Sequence, residues 1–279
     1  FHLRLARTLH RRDVRNVYFV CPQFWAWRPW RVNLVRRRFE RGLCIFPFEV
    51  DFYRNAGVTA DWIGHPLVSQ VRSTLTRDEF AARYGLDPAR PIIAILPGSR
   101  PSELAHHMPR LMKSVVLLNK SPERQFVLAV APGISRAEIE PSIPQQSPVH
   151  VIEDAAYDIL AAADVSIVSS GTATVEAALL GAPMVVIYRV STATAWIARR
   201  LMRAPYIAMV NLIAQKRAVP ELIQEAFEPE EVAREVEHLL SSPTARATMK
   251  ADLAEVSRRL GPPGAIDRAA DIIANMLRP

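Results

Sequence analysis

The sequence predicts an α/β protein built on parallel sheets that are covered on both faces. Three observations point there. Short apolar runs recur along the chain and stop at Gly, Pro or Ser. A stretch of helical period follows most of them. The runs are continuous in Ile and Val instead of alternating with polar residues, which is the pattern of strands buried on both sides. In chain order, strands are expected at 17–20, which stops at Cys21-Pro22, at 43–46, which stops at Pro47, and at 62–64, which stops in Gly64-His65-Pro66. The run 92–96 ends in Pro97-Gly98, 126–131 in Pro132-Gly133 and 165–168 in Ser169-Ser170-Gly171, and 149–152 and 184–188 complete the set. Helical spacing is expected over 77–84, 108–119, 157–162, 174–180, 194–202, 229–241, 245–260 and 265–277. The opening segment 3–12 reads as an amphipathic helix, with Leu3, Leu5 and Leu9 apolar and Arg4, Arg7, Arg11 and Arg12 basic. Sheets of this kind place their ligands at the carboxyl ends of the strands.

A domain boundary is expected near 64–90. The three strands before it are too few for a complete doubly wound domain, and the five after it, with their helices, suffice for one. The 279 residues are 49% hydrophobic and 23% charged, a globular composition that excludes a disordered or fibrous chain. Two cysteines, Cys21 and Cys44, exclude a disulfide scaffold and suit a reducing compartment. No uncharged stretch approaches the ~20 residues of a membrane-spanning helix, and no signal peptide is expected. The first residue is Phe1 and the opening helix is already under way, so further residues are expected upstream. Lys and Arg number 35 against 28 Asp and Glu, a net charge of +7, and all but Lys113, Lys120, Lys216 and Lys250 are arginine. This balance suits nucleic acid, an anionic membrane surface or phosphorylated substrates without choosing among them.

Two strand-to-helix turns carry the chemistry. In Ile92-Ile-Ala-Ile-Leu-Pro-Gly-Ser-Arg100, Gly98 lets the backbone approach a ligand, Ser99 can cap the helix or bond an oxygen, and Arg100 stands where it can pair with a phosphate. Glu103 sits at a capping-box offset, so part of the motif also serves to start the helix. In Val165-Ser-Ile-Val-Ser-Ser-Gly-Thr-Ala-Thr-Val-Glu176, Ser170, Gly171 and Thr172 open a helix whose free amides form an anion-binding nest. Glu176, one turn in, can accept hydrogen bonds from ribose hydroxyls or serve the helix dipole. Neither turn is a Walker motif or a GxGxxG fingerprint. The segment 21–31 packs Trp25, Trp27, Arg28, Trp30 and Arg31 together; sugar stacking, an acyl-chain surface, a membrane interface and simple core filling all remain open for it. His65 lies at the domain junction as a ligand contact or a hinge residue. His106 and His107 are not at metal-ligand spacing, and no CxxC or GxSxG is present, so neither a zinc site nor hydrolase chemistry has an anchor.

Together the motifs form an ordered set: CPQFWAWR at 21–28, CIFPFEVDFY at 44–53, GHPL at 64–67, LPGSRPSE at 96–103, SSGTATVEAALLGAPMVVIYR at 169–189 and VPELIQ at 219–224. In order and spacing this set closely resembles bacterial lipid-A-disaccharide synthase over nearly the whole chain. The resemblance implies a GT-B fold of two Rossmann-like domains facing a cleft, the first one incomplete here. On that division 1–66 is the acceptor-side part, 67–260 the nucleotide-sugar domain, and 261–279 a helix packing back toward the first domain or a partner subunit. It implies inverting transfer from UDP-2,3-diacylglucosamine to 2,3-diacylglucosamine 1-phosphate (lipid X), giving the β-1,6 disaccharide and UDP, with no cofactor and no metal.

By the same resemblance Gly98, Ser99, Arg100, Ser170, Gly171, Thr172 and Glu176 hold the donor, and Asn211, Glu221 and Gln224 belong to the nucleotide segment, although Val210 stands where the family has Pro. Trp25, Trp27, Arg28, Glu49, His65, Tyr188 and Arg189 are expected to line the cleft. The catalytic base is expected upstream of Phe1; Glu49 and Asp51 are the nearest carboxylates and neither is nominated. Little or no turnover by these residues alone is therefore expected. The implied partners are the two lipid substrates and an anionic inner-membrane surface, not nucleic acid, with a homodimer left open. The implied location is cytoplasmic and peripheral at the inner membrane. Two alternatives stand beside this reading: another UDP-sugar GT-B enzyme, which the WAWR and PFE motifs oppose, and a non-catalytic basic module binding anionic lipid or nucleic acid, which would show steep salt dependence and no UDP binding.

Overall fold

The computed structural model describes residues 1–120, 123–201 and 204–277, with the backbone alone at 197–199 and 201. Met202, expected to end a helix, lies outside the described residues. In chain order the elements are α1 His2–His10, β1 Val17–Phe19, α2 Phe24–Trp27, α3 Val32–Arg36, β2 Arg41–Cys44, α4 Pro47–Asn55, β3 Ala60–Trp62, α5 Leu67–Gln70 and α6 Arg77–Tyr84. There follow β4 Ile92–Leu96, α7 Pro101–Leu118, β5 Gln125–Val130, α8 Arg136–Ile139, β6 Val149–Glu153, α9 Ala156–Ala162, β7 Val165–Ser169 and α10 Thr172–Leu179. The chain finishes with β8 Met184–Tyr188, α11 Thr192–Leu201, α12 Met209–Ala214, β9 Glu221–Ile223, α13 Pro229–Ser241, α14 Pro243–Arg259 and α15 Ala265–Leu277. Among the described residues no helix is long and apolar enough to cross a membrane.

The chain divides into two compact units. The first comprises 1–70, 198–205 and 257–279, the second 71–197 and 206–256. The first unit holds a parallel sheet in the order β1-β2-β3, with Val17 opposite Arg41 and Gly42 opposite Ala60. Phe24, Val35, Cys44, Val50 and Tyr53 pack into its core. The segment that returns to this unit is tied on by Arg268, which donates to the carbonyls of Ile63 at 2.8 Å, Pro262 at 2.8 Å and Pro263 at 2.7 Å. Strands β2 and β3 each begin and end about two residues before the expected positions. Ile45 and Phe46 leave the sheet because α4 starts at Pro47: Pro fits the first helical position, and Glu49 at the third reaches back to accept from the Phe46 amide at 3.2 Å.

The second unit holds a six-stranded parallel sheet in the order β6-β5-β4-β7-β8-β9. Every residue of β4, β5 and β7 is buried, as continuous Ile/Val runs require of strands covered on both faces. Two expectations are corrected here. The sheet has six strands, not five, because Glu221–Ile223 pairs with β8, Val186 opposite Glu221; a three-residue strand that opens with a carboxylate gives no apolar run to read. Helix α7 begins at Pro101, seven residues before the expected 108, because Pro101 and Glu103 supply an N-terminal start. Pro109 lies inside this helix and forgoes one backbone hydrogen bond there.

Candidate functional site

The sheet order fixes where a ligand can sit. From β4 the chain steps outward to β5 and β6 on one side, then returns to β7 on the other side of β4. The crevice beyond the carboxyl ends of β4 and β7 is therefore the topological switch point at which open α/β sheets bind ligands. A cavity of about 320 Å³ opens there, lined by the turns after β4, β5 and β7 and by Glu176 of α10, a size in the range of small-molecule sites. Gly98, Ser99, Arg100, Ser170, Gly171, Thr172 and Glu176 all line it.

The turn after β4 is held from beneath by Glu103. Its carboxylate accepts from the Ser99 amide at 3.0 Å and from the Arg100 guanidinium at 3.1 Å. Gly98 has φ +129°, and a Cβ there would lie 2.7 Å from Glu103 Oε2, so both the dihedral and the close approach demand glycine. Arg100 is the N-cap of α7, makes no side-chain cap, and keeps its side chain 71% exposed.

The turn after β7 repeats the arrangement. Gly171, at φ +144°, is the N-cap of α10 and also provides no side-chain cap. A Cβ on it would meet nothing within 4 Å, so the dihedral alone requires glycine here. The Ser170 amide donates to Ile187 O at 2.9 Å and its hydroxyl to Ile207 O at 3.3 Å. Two uncapped helix N-termini thus open on one cavity, each carrying orphan amides and about half a positive charge. Glu176 lies deeper. Tyr157 donates its phenol to Glu176 Oε1 at 3.1 Å, burial pushes the Glu176 carboxyl above the usual carboxylate range, and burial beside Glu176 pushes the phenol up to about 12.

Other expected residues gather along β8 and β9, outside the cavity lining. Asn211 is wholly buried; its amide donates to Val219 O at 3.0 Å and Glu221 Oε1 at 2.7 Å, and its oxygen accepts from Val219 N at 3.0 Å. Glu221 also accepts from the amides of Ile207 at 3.0 Å and Ala208 at 3.1 Å, clamping the start of α12 to β9. Arg189, next after Tyr188, donates to Gln224 O at 2.8 Å.

A third group lies in the first unit. Trp25 donates its indole N–H to Glu49 Oε1 at 3.1 Å and meets Phe48 edge-on at 5.0 Å. Trp27 is 40% exposed, with the Arg28 guanidinium 4.8 Å over its ring, a cation–π pair. Glu49 is wholly buried and burial pushes its carboxyl up to about 7. His65 is buried against Phe46 at 5.4 Å, and burial holds its imidazole down at about 4. The two groups bias stability oppositely. Between its ordinary 4.5 and about 7, Glu49 keeps a proton that the unfolded chain releases, so its contribution is full at low pH and is lost as pH rises through 7. Between about 4 and 6.5 the unfolded chain holds the extra proton at His65, so that contribution grows with pH. Glu49→Gln removes the first and leaves the second. The melting temperature of this variant relative to wild type should rise from pH 4.5 to 7; a difference independent of pH would contradict the assignment.

Four residues at or behind the cavity were not singled out as site residues from the sequence. Ser169 lines the cavity with a buried hydroxyl that has no hydrogen-bond partner among the described residues. Glu103 and Tyr157 orient the turn and Glu176. His107 joins two turns 10 and 82 residues away. Ser169 has a signal in its place at a strand end before Gly171, and Glu103 has one in its capping-box offset; Tyr157 and His107 act on residues 19 and 82 positions away and have none. Among the described residues no three His, Cys, Asp or Glu side chains converge as a metal site requires.

Residues 1–271 match the family model described as lipid-A-disaccharide synthetase. A lipid-A-disaccharide synthase of Solibacter usitatus is 45% identical over 279 residues, covering 99% of this chain and 73% of the relative. One of Geobacter sulfurreducens is 40% identical with the same coverage. Among solved structures, the S. aureus MnaA–UDP co-structure superposes with a TM-score of 0.64 at 12% identity, covering 98% of this chain and 72% of that one. The likeness shows the fold, which is of the GT-B type.

Proposed function

The chain belongs to the lipid-A-disaccharide synthetase family, glycosyltransferases of lipid A biosynthesis, and from that premise we propose that the β4/β7 cavity holds the UDP portion of UDP-2,3-diacylglucosamine. The sugar passes to the 6-hydroxyl of 2,3-diacylglucosamine 1-phosphate with inversion, and UDP leaves. The observation that carries this reading is the pair of uncapped helix N-termini with Arg100 between them, all facing one cavity. As the sugar–oxygen bond breaks, negative charge grows on the diphosphate. The amides of Gly98, Arg100, Gly171 and Thr172 and the Arg100 guanidinium supply fixed donors where that charge develops, on a turn that Glu103 pins through the Ser99 amide. Each such donor is worth roughly 10²–10³ in rate. Glu176, with Tyr157 holding one oxygen, accepts from the ribose hydroxyls.

Asn211, Glu221 and Gln224 shape the wall beside this site, and Trp25, Trp27, Arg28, Glu49 and His65 belong to the acceptor side. The attacking hydroxyl must lose a proton to a base. The cavity carboxylates, Glu103 and Glu176, are committed to Ser99, Arg100 and Tyr157, so neither is assigned that role. Both substrates of this proposal carry acyl chains, which supports a reaction at a membrane surface, in this reading the cytoplasmic face of the inner membrane. Residues 1–70 contain twelve arginines against five acidic residues, and Trp30 is 63% exposed, a basic and aromatic surface suited to anionic lipid.

Calorimetric titration with UDP tests the site. Arg100→Ala removes charge-assisted bonds worth about 1.5–3 kcal/mol, so UDP affinity should fall roughly 10- to 150-fold. Glu176→Ala should cost about tenfold, the worth of one hydrogen bond. Affinities equal to wild type would remove both residues from the site.

A further inference from the structure

We propose that His107 is a positioning residue of the nucleotide site, tying the turn that carries Gly98, Ser99 and Arg100 to the end of β8 and so setting the geometry in which a nucleotide diphosphate is held. The inference rests on reading the β4/β7 cavity as the UDP site. His107 projects from the second turn of α7 and is wholly buried. Its Nδ1 lies 2.7 Å from Pro97 O, and its Nε2 lies 2.9 Å from the Arg189 amide nitrogen and 3.2 Å from Arg189 O. A carbonyl only accepts, so Nδ1 must carry the hydrogen at the shorter contact, which leaves Nε2 as the acceptor of the Arg189 N–H. Burial holds the imidazole below its ordinary 6.5, which keeps it in the neutral form this pairing needs.

One bond ends on Pro97, which lines the cavity, and the other on Arg189, which follows β8. Pro97 precedes Gly98, the residue whose φ of +129° makes the turn. Arg189 donates its guanidinium to Gln224 O at 2.8 Å, and the Val190 amide donates to Gln224 Oε1 at 3.4 Å. One ring therefore joins the cavity group of residues to the group along β8 and β9. The slot between Tyr188, at 5.9 Å, and Phe227, at 5.6 Å, would accept an apolar side chain for packing alone. A histidine there supplies one donor and one acceptor to two turns that no backbone ladder connects, since β4 and β8 are not neighbours in the sheet.

The experiment uses the full chain. UDP is titrated calorimetrically into wild type, His107→Leu and His107→Asn, with the melting temperature of each recorded. His107→Leu should weaken UDP binding at least tenfold. His107→Asn keeps a donor within reach of Pro97 O, loses the acceptor for Arg189, and should recover part of the loss. In wild type, NMR should show that saturating UDP slows solvent exchange of the His107 Nδ1 proton and the Arg189 amide at least tenfold. A purely structural histidine would show no such change, and this readout needs no variant to fold. Wild type that binds no UDP overturns the reading of the cavity and the inference with it. Wild type that binds UDP with unchanged exchange at His107 and Arg189 overturns the inference alone.

Discussion

Replacing Gly98 by alanine should cost roughly a hundredfold or more in UDP affinity while leaving the chain folded. At φ +129° a side chain is strained whatever the space around it, at about 1–3 kcal/mol. Space is also lacking, because the new Cβ would sit 2.7 Å from Glu103 Oε2 and 2.8 Å from Glu103 Cβ. Relief requires either the turn or Glu103 to move. Glu103 pins the turn through the Ser99 amide and holds the Arg100 side chain, so each route displaces two of the donors assigned to the diphosphate, the Arg100 guanidinium and the Gly98 amide. Losing two charge-assisted bonds at about 1.5–3 kcal/mol each accounts for the size of the effect. The melting temperature should drop by only several degrees, at about 2–4 °C per kcal/mol for a unit of this size. Gly98→Ala with wild-type UDP affinity would show that the turn does not hold the nucleotide.

Asn211→Ala should act first on stability and only then on binding. The side chain is wholly buried and all three of its hydrogen bonds stay within the protein. Alanine leaves Val219 N–H and Val219 O unpaired in the interior and deprives Glu221 of a donor. At about 1–3 kcal/mol for each stranded group, the loss is about 3–5 kcal/mol, a large part of the typical total of about 5–15 kcal/mol. Asp at this position should be no better, since its carboxylate would face Glu221 and Val219 O. The disturbance reaches the cavity through Glu221, which holds the amides of Ile207 and Ala208, and through Ser170, which donates to Ile207 O. If Asn211 instead contacts nucleotide directly, UDP affinity will fall with the melting temperature unchanged. Calorimetric scanning and UDP titration on the same variant separate the two roles.

The legible parts of the sequence were those where a local rule and the tertiary structure agree. Ile92–Leu96 and Met184–Tyr188 stand where their apolar runs placed them, because a strand buried on both faces has no polar positions to blur its ends. The two turns with Gly98 and Gly171 were legible for a similar reason: glycine after a buried strand and before a helix has few other uses. The short helices α2 to α5 were not read, since elements of four to nine residues show too few turns for a period. Helix α4 has a usable signal in Pro47 at its first position and Glu49 at its third, although both also belong to the PFE motif. The sequence placed Asn211 and Glu221 near the nucleotide through resemblance. What it could not show is that their polar atoms satisfy each other and the start of α12. His107 had no signal at all, because its partner Arg189 lies 82 residues away.

The most direct test of the central claim is calorimetric titration of the 279-residue chain with UDP, with UMP and ADP as controls. Saturable binding of UDP, with UMP weaker for want of the second phosphate and ADP weaker for want of uracil, is the predicted result. It would make the second unit a donor-binding unit whatever the rate of turnover. No binding of UDP, or equal binding of all three nucleotides, would contradict the assignment of the β4/β7 cavity.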